Sequence, residues 1–541
     1  MGQRWDEFVH AFVAETFAAR PDVAVWAGAH EHDGGLPDWS PDGLEAEAAR
    51  LRGLAQRARA FDAAALDGPR RFERAYAIAR AEADLFWLDP ARWPSRNPAW
   101  YAPSLDPNVY VTRPYAPPAE RLRAFVRYAG SAVAAAAQIR GNLAGPLPAT
   151  FREMAHTTFG GLADFYEEDV PRAFADVPDA SLQQDLGRAA GEAAAAMRGL
   201  ERDLASRPTA PDGAFALGEE SFAAMLRVTE GVDVALDELE RAGREELARN
   251  RADLEDACAE LAPGESVAAC VARVRGRKPA AGPVAEAAGQ LEGLRRFVLE
   301  QDLVAVPGEE RARVAESPPF MRWNSAYIDI PGPFEQGLPS VYYIAPPDPA
   351  WSADEREAYV PGVADLLFVT IHEVWPGHFL QFLHSNRSPS VLSRVFVGYA
   401  FSEGWAHYAE ELMAEAGFGS DPESRIGRLV NALLRTVRYL AAIGLHARGM
   451  RVDQAERLFR EQAFLDPANA RQQAARGTFD PAYLNYTLGK LLIRRLRRDW
   501  TEPRGGRPAW REFHDRLLAL GGPPLPLARE VLMGSASGAL I

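Results

Sequence analysis

Two histidines and two glutamates stand in this chain in an order that suits a metal ion. HEVWPGH, residues 372–378, follows LLFVTI at 366–371, a run apolar on every side that reads as a helix buried all round. A histidine and a glutamate at the end of such a helix are expensive to bury unless something pairs or coordinates them. Zinc supplies that compensation, and the familiar zinc helix sets its histidines four apart, with a glutamate as general base. Here His372 and His378 are six apart, which on an unbroken helix separates the rings by about 240°. Pro376 cannot join the helical ladder and Gly377 tolerates unusual dihedrals. The helix is therefore expected to break at Val374–Trp375 and restart at Pro376, so that two helix ends bring the rings together. Further on, EGWAHYAE (403–410) puts Glu403, His407 and Glu410 on one helical face. A catalytic zinc site takes three protein ligands and keeps one position open. His372, His378 and Glu403 supply the three, and Glu373 is left free as the base.

The elements around these residues carry a wider signal. HExxPGH, then EGWxxYxE about 25 residues later, then YxxGK near the C-terminus resemble the bacterial family catalogued as domain of unknown function 885. RPDVAVWAGAHEHDGGLPDWS (20–40) is similar to that family's opening segment, so the resemblance spans nearly the whole chain. The family in turn is distantly similar to the mostly helical gluzincin peptidases that include thimet oligopeptidase and angiotensin-converting enzyme. In those the helix carries HExxH, and a glutamate about 25 residues further on is the third ligand. The resemblance implies the same roles for His372, Glu373, His378 and Glu403, with one Zn²⁺ per chain. The two-residue insertion departs from the peptidase pattern and bears on where Glu373 stands relative to the metal.

A second stretch, PAYLNYTLGKLLIRRLRRDW (481–500), reads as a helix with two unlike faces. Tyr483, Tyr486, Lys490, Arg494 and Arg497 fall within about 80° of arc, and leucines take the opposite side. Lys490 is one of only two lysines among sixty basic residues. Amide hydrolysis on zinc needs a donor aimed at the developing oxyanion, and a phenol is suitable. The related peptidases use a tyrosine near this part of the chain. That resemblance points to Tyr486, with Tyr483 as second choice and a further residue of the substrate face. Lys490 or Arg494 is then expected to anchor a substrate carboxylate. His407, one turn after Glu403, is either a partner that orients a ligand or a further oxyanion donor; a satisfied core histidine is the alternative.

Composition narrows the class. The 541 residues are 47% hydrophobic and 25% charged, and the net charge of −15 argues against nucleic acid or anionic membrane as partner. MGQRWDEFVHAF has neither an apolar signal core nor a cleavage site, no eighteen-residue apolar run appears, and the expected location is a bacterial cytoplasm. Cys258 and Cys270 read as inert thiols.

The periodicity predicts a mainly α fold with a small β ribbon, and the gluzincin resemblance implies a large helical structure around a deep cleft. One helical region over 1–310 and a catalytic region over 311–541 are expected to form one continuous unit. Long helices are expected at 118–144, 148–170, 180–206 and 219–262. The aromatic, proline-rich segment 89–118 is expected to pack down, a lid over the cleft being one use for it. The ribbon is expected at 320–346, a hairpin whose strand 338–344 offers an edge for substrate addition. Ser352 and Glu355 form a capping box.

The function these readings favour is zinc-dependent cleavage of an amide bond in a short peptide or peptide-like small molecule. Two rivals remain. Two histidines and a carboxylate also form the facial triad of non-heme iron enzymes. A repurposed relative acting on a non-peptide metabolite would keep the metal without peptide hydrolysis.

Overall fold

The apolar run becomes the helix Val363–Glu373 in the computed structural model, which describes all residues except Met1, Pro319, Phe320, Trp323 and 535–538. The chain is mainly α-helical with one small sheet. No described helix is long and apolar enough to cross a membrane.

The chain divides into two compact units. One comprises residues 1–215, 331–338 and 390–395; the other comprises 216–330, 339–389 and 396–541. The division falls well before the expected boundary near 310. The reason is packing: Leu236–Leu261 lies along Pro422–Ala447, and Pro283–Glu300 lies on Val363–Glu373, so these helices belong with the C-terminal part.

In the first unit Pro118–Asn142 and Ala149–Asp164 pack on Ala180–Ser206. The 89–118 segment does pack down, as short 3-10 turns and the helix Asn108–Thr112, with Trp93, Tyr101 and Tyr110 buried. The 331–338 segment is fastened by Glu335, which meets Arg113 at 2.9 Å and His30 at 3.1 Å.

The second unit holds the sheet. β2 (Ala326–Asp329) and β3 (Ser340–Ile344) pair antiparallel as the hairpin reading expects, although Phe320 and Trp323 lie outside the described residues. A strand the sequence did not signal, β1 (Ala312–Glu316), pairs parallel with β3. The order β1-β3-β2 makes β3 central. Strand 340–344 is therefore not an edge, because both of its sides are already hydrogen-bonded; β1 and β2 are the edges. The single helix expected over 219–262 is two, Glu219–Thr229 and Leu236–Leu261, divided where Gly231 takes φ +69°. The capping box forms: Ser352 Oγ accepts from the Glu355 amide at 3.2 Å, and Glu355 accepts from the Ser352 amide at 2.9 Å.

Two helices of this unit cross with their backbones in contact. Tyr399–Glu415 meets Asn485–Thr501 at Gly404 and Gly489, where a Cβ on Gly489 would lie 1.9 Å from the Ala400 carbonyl oxygen. Any side chain there must separate the helices. Gly489→Ala is expected to destabilise the fold by about 1–3 kcal/mol or more in denaturant unfolding. Gly187→Ala, in open space on Ala180–Ser206, is expected to stabilise it by about 0.5–1 kcal/mol. Equal effects at the two positions would contradict the close crossing.

Candidate metal centre

The chain breaks after the first histidine, over a longer stretch than its sequence suggests. Val363–Glu373 ends with His372 in its last turn, residues 374–377 turn the chain, and a new helix begins at His378 and runs to Ser385. The restart is thus at His378 and not at Pro376. The turn closes through Gly377, whose amide donates to the Ile371 carbonyl at 3.0 Å. A Cβ on Gly377 would lie 1.8 Å from the His372 carbonyl oxygen, so only glycine fits. From the Glu403 helix, the buried Trp405 donates its indole N–H to the Pro376 carbonyl at 2.8 Å, which pins the turn in place.

This geometry brings the rings together, with His372 and His378 centroids 4.9 Å apart and nearly perpendicular. Glu403 completes the set. Its Oε2 lies 3.2 Å from His372 Nε2 and 3.4 Å from His378 Nε2. One ligand atom from each of the three residues lies within 4.8 Å of the others. Bonds of about 2.0–2.1 Å to a tetrahedral zinc set neighbouring ligand atoms about 3.4 Å apart. Two imidazole nitrogens and a carboxylate oxygen at these separations therefore suit a zinc-sized cation.

The opposite ring nitrogens are also engaged. His372 Nδ1 meets Glu410 at 2.8 Å, and Glu410 is held by Arg435 at 3.2 Å. His378 Nδ1 meets Ser402 Oγ at 3.3 Å, and that hydroxyl donates to Gln381 at 3.2 Å. Such contacts fix the tautomer that leaves Nε2 as the ligand atom. Burial would raise the Glu403 carboxyl, but His378 and His372 hold it well below the usual range. Glu373 behaves oppositely: burial pushes it up to about 7, against His378 and an N–H from Ile328 on β2.

Tyr486 reaches the same place. Its ring stacks on His372 at 6.3 Å and 20°, and meets Tyr399 edge-on at 5.8 Å. Tyr483 does not join it; it is buried, with its hydroxyl against Gly477 and no hydrogen-bond partner. His407 lies behind Glu410, with Nδ1 at 3.6 Å from it, and burial together with Lys490 pushes its pKa down to about 3. Its contact is with a partner of His372 and not with a ligand.

Lys490 and Arg494 are placed in a separate buried ion cluster. Lys490 is 1% exposed and meets Glu246 at 2.5 Å and Glu411 at 3.4 Å; Arg494 meets both at 3.1 Å. The expected carboxylate anchors are thus occupied by carboxylates of the chain itself. The residues that sequence reasoning passed over are Glu410, Arg435, Arg438 and Arg476. Glu410 was signalled by its place on the Glu403 face. Arg435 and Arg438 lie on Pro422–Ala447, and Arg476 on Pro467–Phe479, a helix that sequence reasoning did not single out and whose N-cap Asp466 accepts from the Ala468 and Asn469 amides.

Burial opposes ionisation of Glu246 and Glu411, but Lys490 and the neighbouring arginines hold both far below their ordinary value of 4.5. A carboxylate depressed in the folded state stabilises it above the unfolded pKa and loses that contribution as pH falls below it. Unfolding free energy is expected to drop as pH falls from about 5 to 3. Glu246→Gln should flatten that slope and cost about 3–5 kcal/mol at pH 7, since it leaves Lys490 short of a partner. An unchanged slope in urea titrations would contradict the cluster.

The likeness to known proteins is strongest in fold. Among curated proteins none matches this chain. A candidate lipoprotein of unknown function from Shewanella oneidensis is similar at TM-score 0.80 and 21% identity, over 98% of this chain and 99% of that one. A candidate lipoprotein from Colwellia psychrerythraea gives 0.82 and 17%, over 98% of each. A candidate oligoendopeptidase F from Bacillus anthracis aligns over 90% of this chain and 95% of its own at only 12% identity and TM-score 0.27. The family described as bacterial protein of unknown function, DUF885, matches residues 21–532. With nearly its whole length matched, the chain belongs to the DUF885 family.

Proposed function

We propose that this protein is a zinc-dependent hydrolase of an amide bond in a short peptide or peptide-like molecule. The observation that carries the reading is the meeting of His372, His378 and Glu403 near the buried Glu373, whose pKa burial raises to about 7. When bound by those three residues, zinc supplies Lewis acidity that acidifies water and polarises an amide carbonyl.

The chain's own residues do the rest. Glu373, raised by burial toward neutrality, takes the proton of the attacking water and passes it to the leaving nitrogen. The nearby Ile328 N–H favours its ionised form. Tyr486 donates its hydroxyl proton in a hydrogen bond to the developing oxyanion; burial keeps that phenol protonated, its pKa raised above the ordinary value. Glu410 and Ser402 hold the histidine rings so that no reorganisation is needed during reaction. The backbone edge for an extended substrate moves from β3 to β2, the edge strand that carries Ile328.

A mixed library of short peptides, assayed with and without chelator, tests the reading. Chelator-sensitive cleavage is expected. Glu373→Gln should abolish it while metal is retained, and an active Gln variant would remove Glu373 from the chemistry. Tyr486→Phe is expected to lower kcat by about 10²–10³ with KM nearly unchanged. A KM effect alone would make Tyr486 a binding residue.

A further inference from the structure

Arg438 is a buried cation without a counter-ion. It is 9% exposed, and no carboxylate among the described residues pairs with it; its Nε–H donates to the side-chain Oε1 of Gln473 at 2.8 Å. Its neighbours make the charge harder to hold. Arg435, Arg438 and Arg476 all approach the ring of Tyr486, with Cζ at 5.9, 5.1 and 6.0 Å from its centre. Arg435 has Glu410 at 3.2 Å and Arg476 has Asp480 at 3.0 Å. Three guanidinium groups thus share two carboxylates, and one positive charge is left over. Burial, then Arg476, pushes the pKa of Arg438 down, yet a guanidinium stays protonated in proteins. Buried charges are ordinarily paired, so the missing anion is to be sought outside the chain.

The position of this charge says where such an anion would act. Tyr486 is a neighbour of both groups, with Arg438 Cζ 5.1 Å and the His372 ring centre 6.3 Å from the centre of its ring, so the guanidinium lies within about 11.4 Å of the imidazole. We infer that Arg438, flanked by Arg476, is the subsite for a single carboxylate of the substrate, the terminal carboxylate of a peptide or its equivalent. A guanidinium matches a carboxylate in planar, two-point hydrogen bonding, and one surplus positive charge matches one negative charge. An extended residue spans about 3.3–3.6 Å, so a carboxylate held at Arg438, within that reach of His372, belongs to a scissile bond only a few residues from that end. The substrate class is then short chains with a free carboxyl end. The assignment rests on the hydrolase reading for its substrates, although binding alone can test it.

The test is equilibrium binding to the Glu373→Gln protein, in which turnover is blocked, with N-acetyl-dialanine and its C-terminal amide as probes. The free acid is expected to bind about tenfold or more tightly than the amide. Adding Arg438→Gln should erase that preference, and Arg438→Lys should keep part of it. The melting temperature should not fall in the Arg438→Gln protein, because an unpaired charge is removed; a large fall would mark a structural role and overturn the subsite. Equal affinity for acid and amide overturns it without any Arg438 variant. Inorganic phosphate that displaces the acid at equal concentration overturns the carboxylate assignment. Acid preference in a protein that hydrolyses no peptide would sink the hydrolase reading and leave the subsite standing; hydrolysis without acid preference would do the reverse.

Discussion

The helices that carry Glu403 and Tyr486 touch backbone to backbone at Gly404 and Gly489, and the arrangement of the site depends on that contact. With no side chains between them, the helices lie close enough for Tyr486 to stack on His372 while Trp405 reaches the Pro376 carbonyl. Immediately after Gly489 the same helix enters a different environment, where Lys490 and Arg494 bind Glu246 and Glu411. The crossing thus has one side at the candidate site and the other at the ion cluster. The ion cluster anchors Leu236–Leu261 to both crossing helices, and the tyrosine faces the histidines.

Electrostatics divides the buried carboxylates by role. Glu403 and Glu410 stand against histidines and an arginine and stay ionised, as the proposed ligand and its support require. For Glu373, burial outweighs His378 and Glu403 adds to it, so its pKa rises to about 7, the range that the proposed base needs. Neighbouring residues 372 and 373 point in different directions from the last turn of their helix, one meeting Glu403 and the other lying near Ile328 of β2.

Much of this was legible in the sequence, and the failures have physical causes. The Pro-Gly pair at 376–377 signalled a break, and Gly377 proves necessary because no Cβ fits beside the His372 carbonyl. The mainly helical class followed from periodicity, and the β2–β3 pairing from alternation. β1 was missed because its partner lies beyond β2 in the chain and nothing local announces a parallel pairing. Lys490 and Arg494 were misplaced for another reason. Helical spacing gives the direction of a side chain but not what lies opposite it, and Glu246 is distant in sequence. Arg438 stayed hidden because an arginine on a helix looks like any solvated one until its burial is known.

The central claim is that His372, His378 and Glu403 hold one metal ion. Metal content of the purified protein, wild type beside His378→Ala, tests it most directly. The account predicts about one zinc per chain in the wild type and its loss in a His378→Ala protein of unchanged helical content. No metal in either protein after zinc is added back, or zinc held equally well by both, would contradict it.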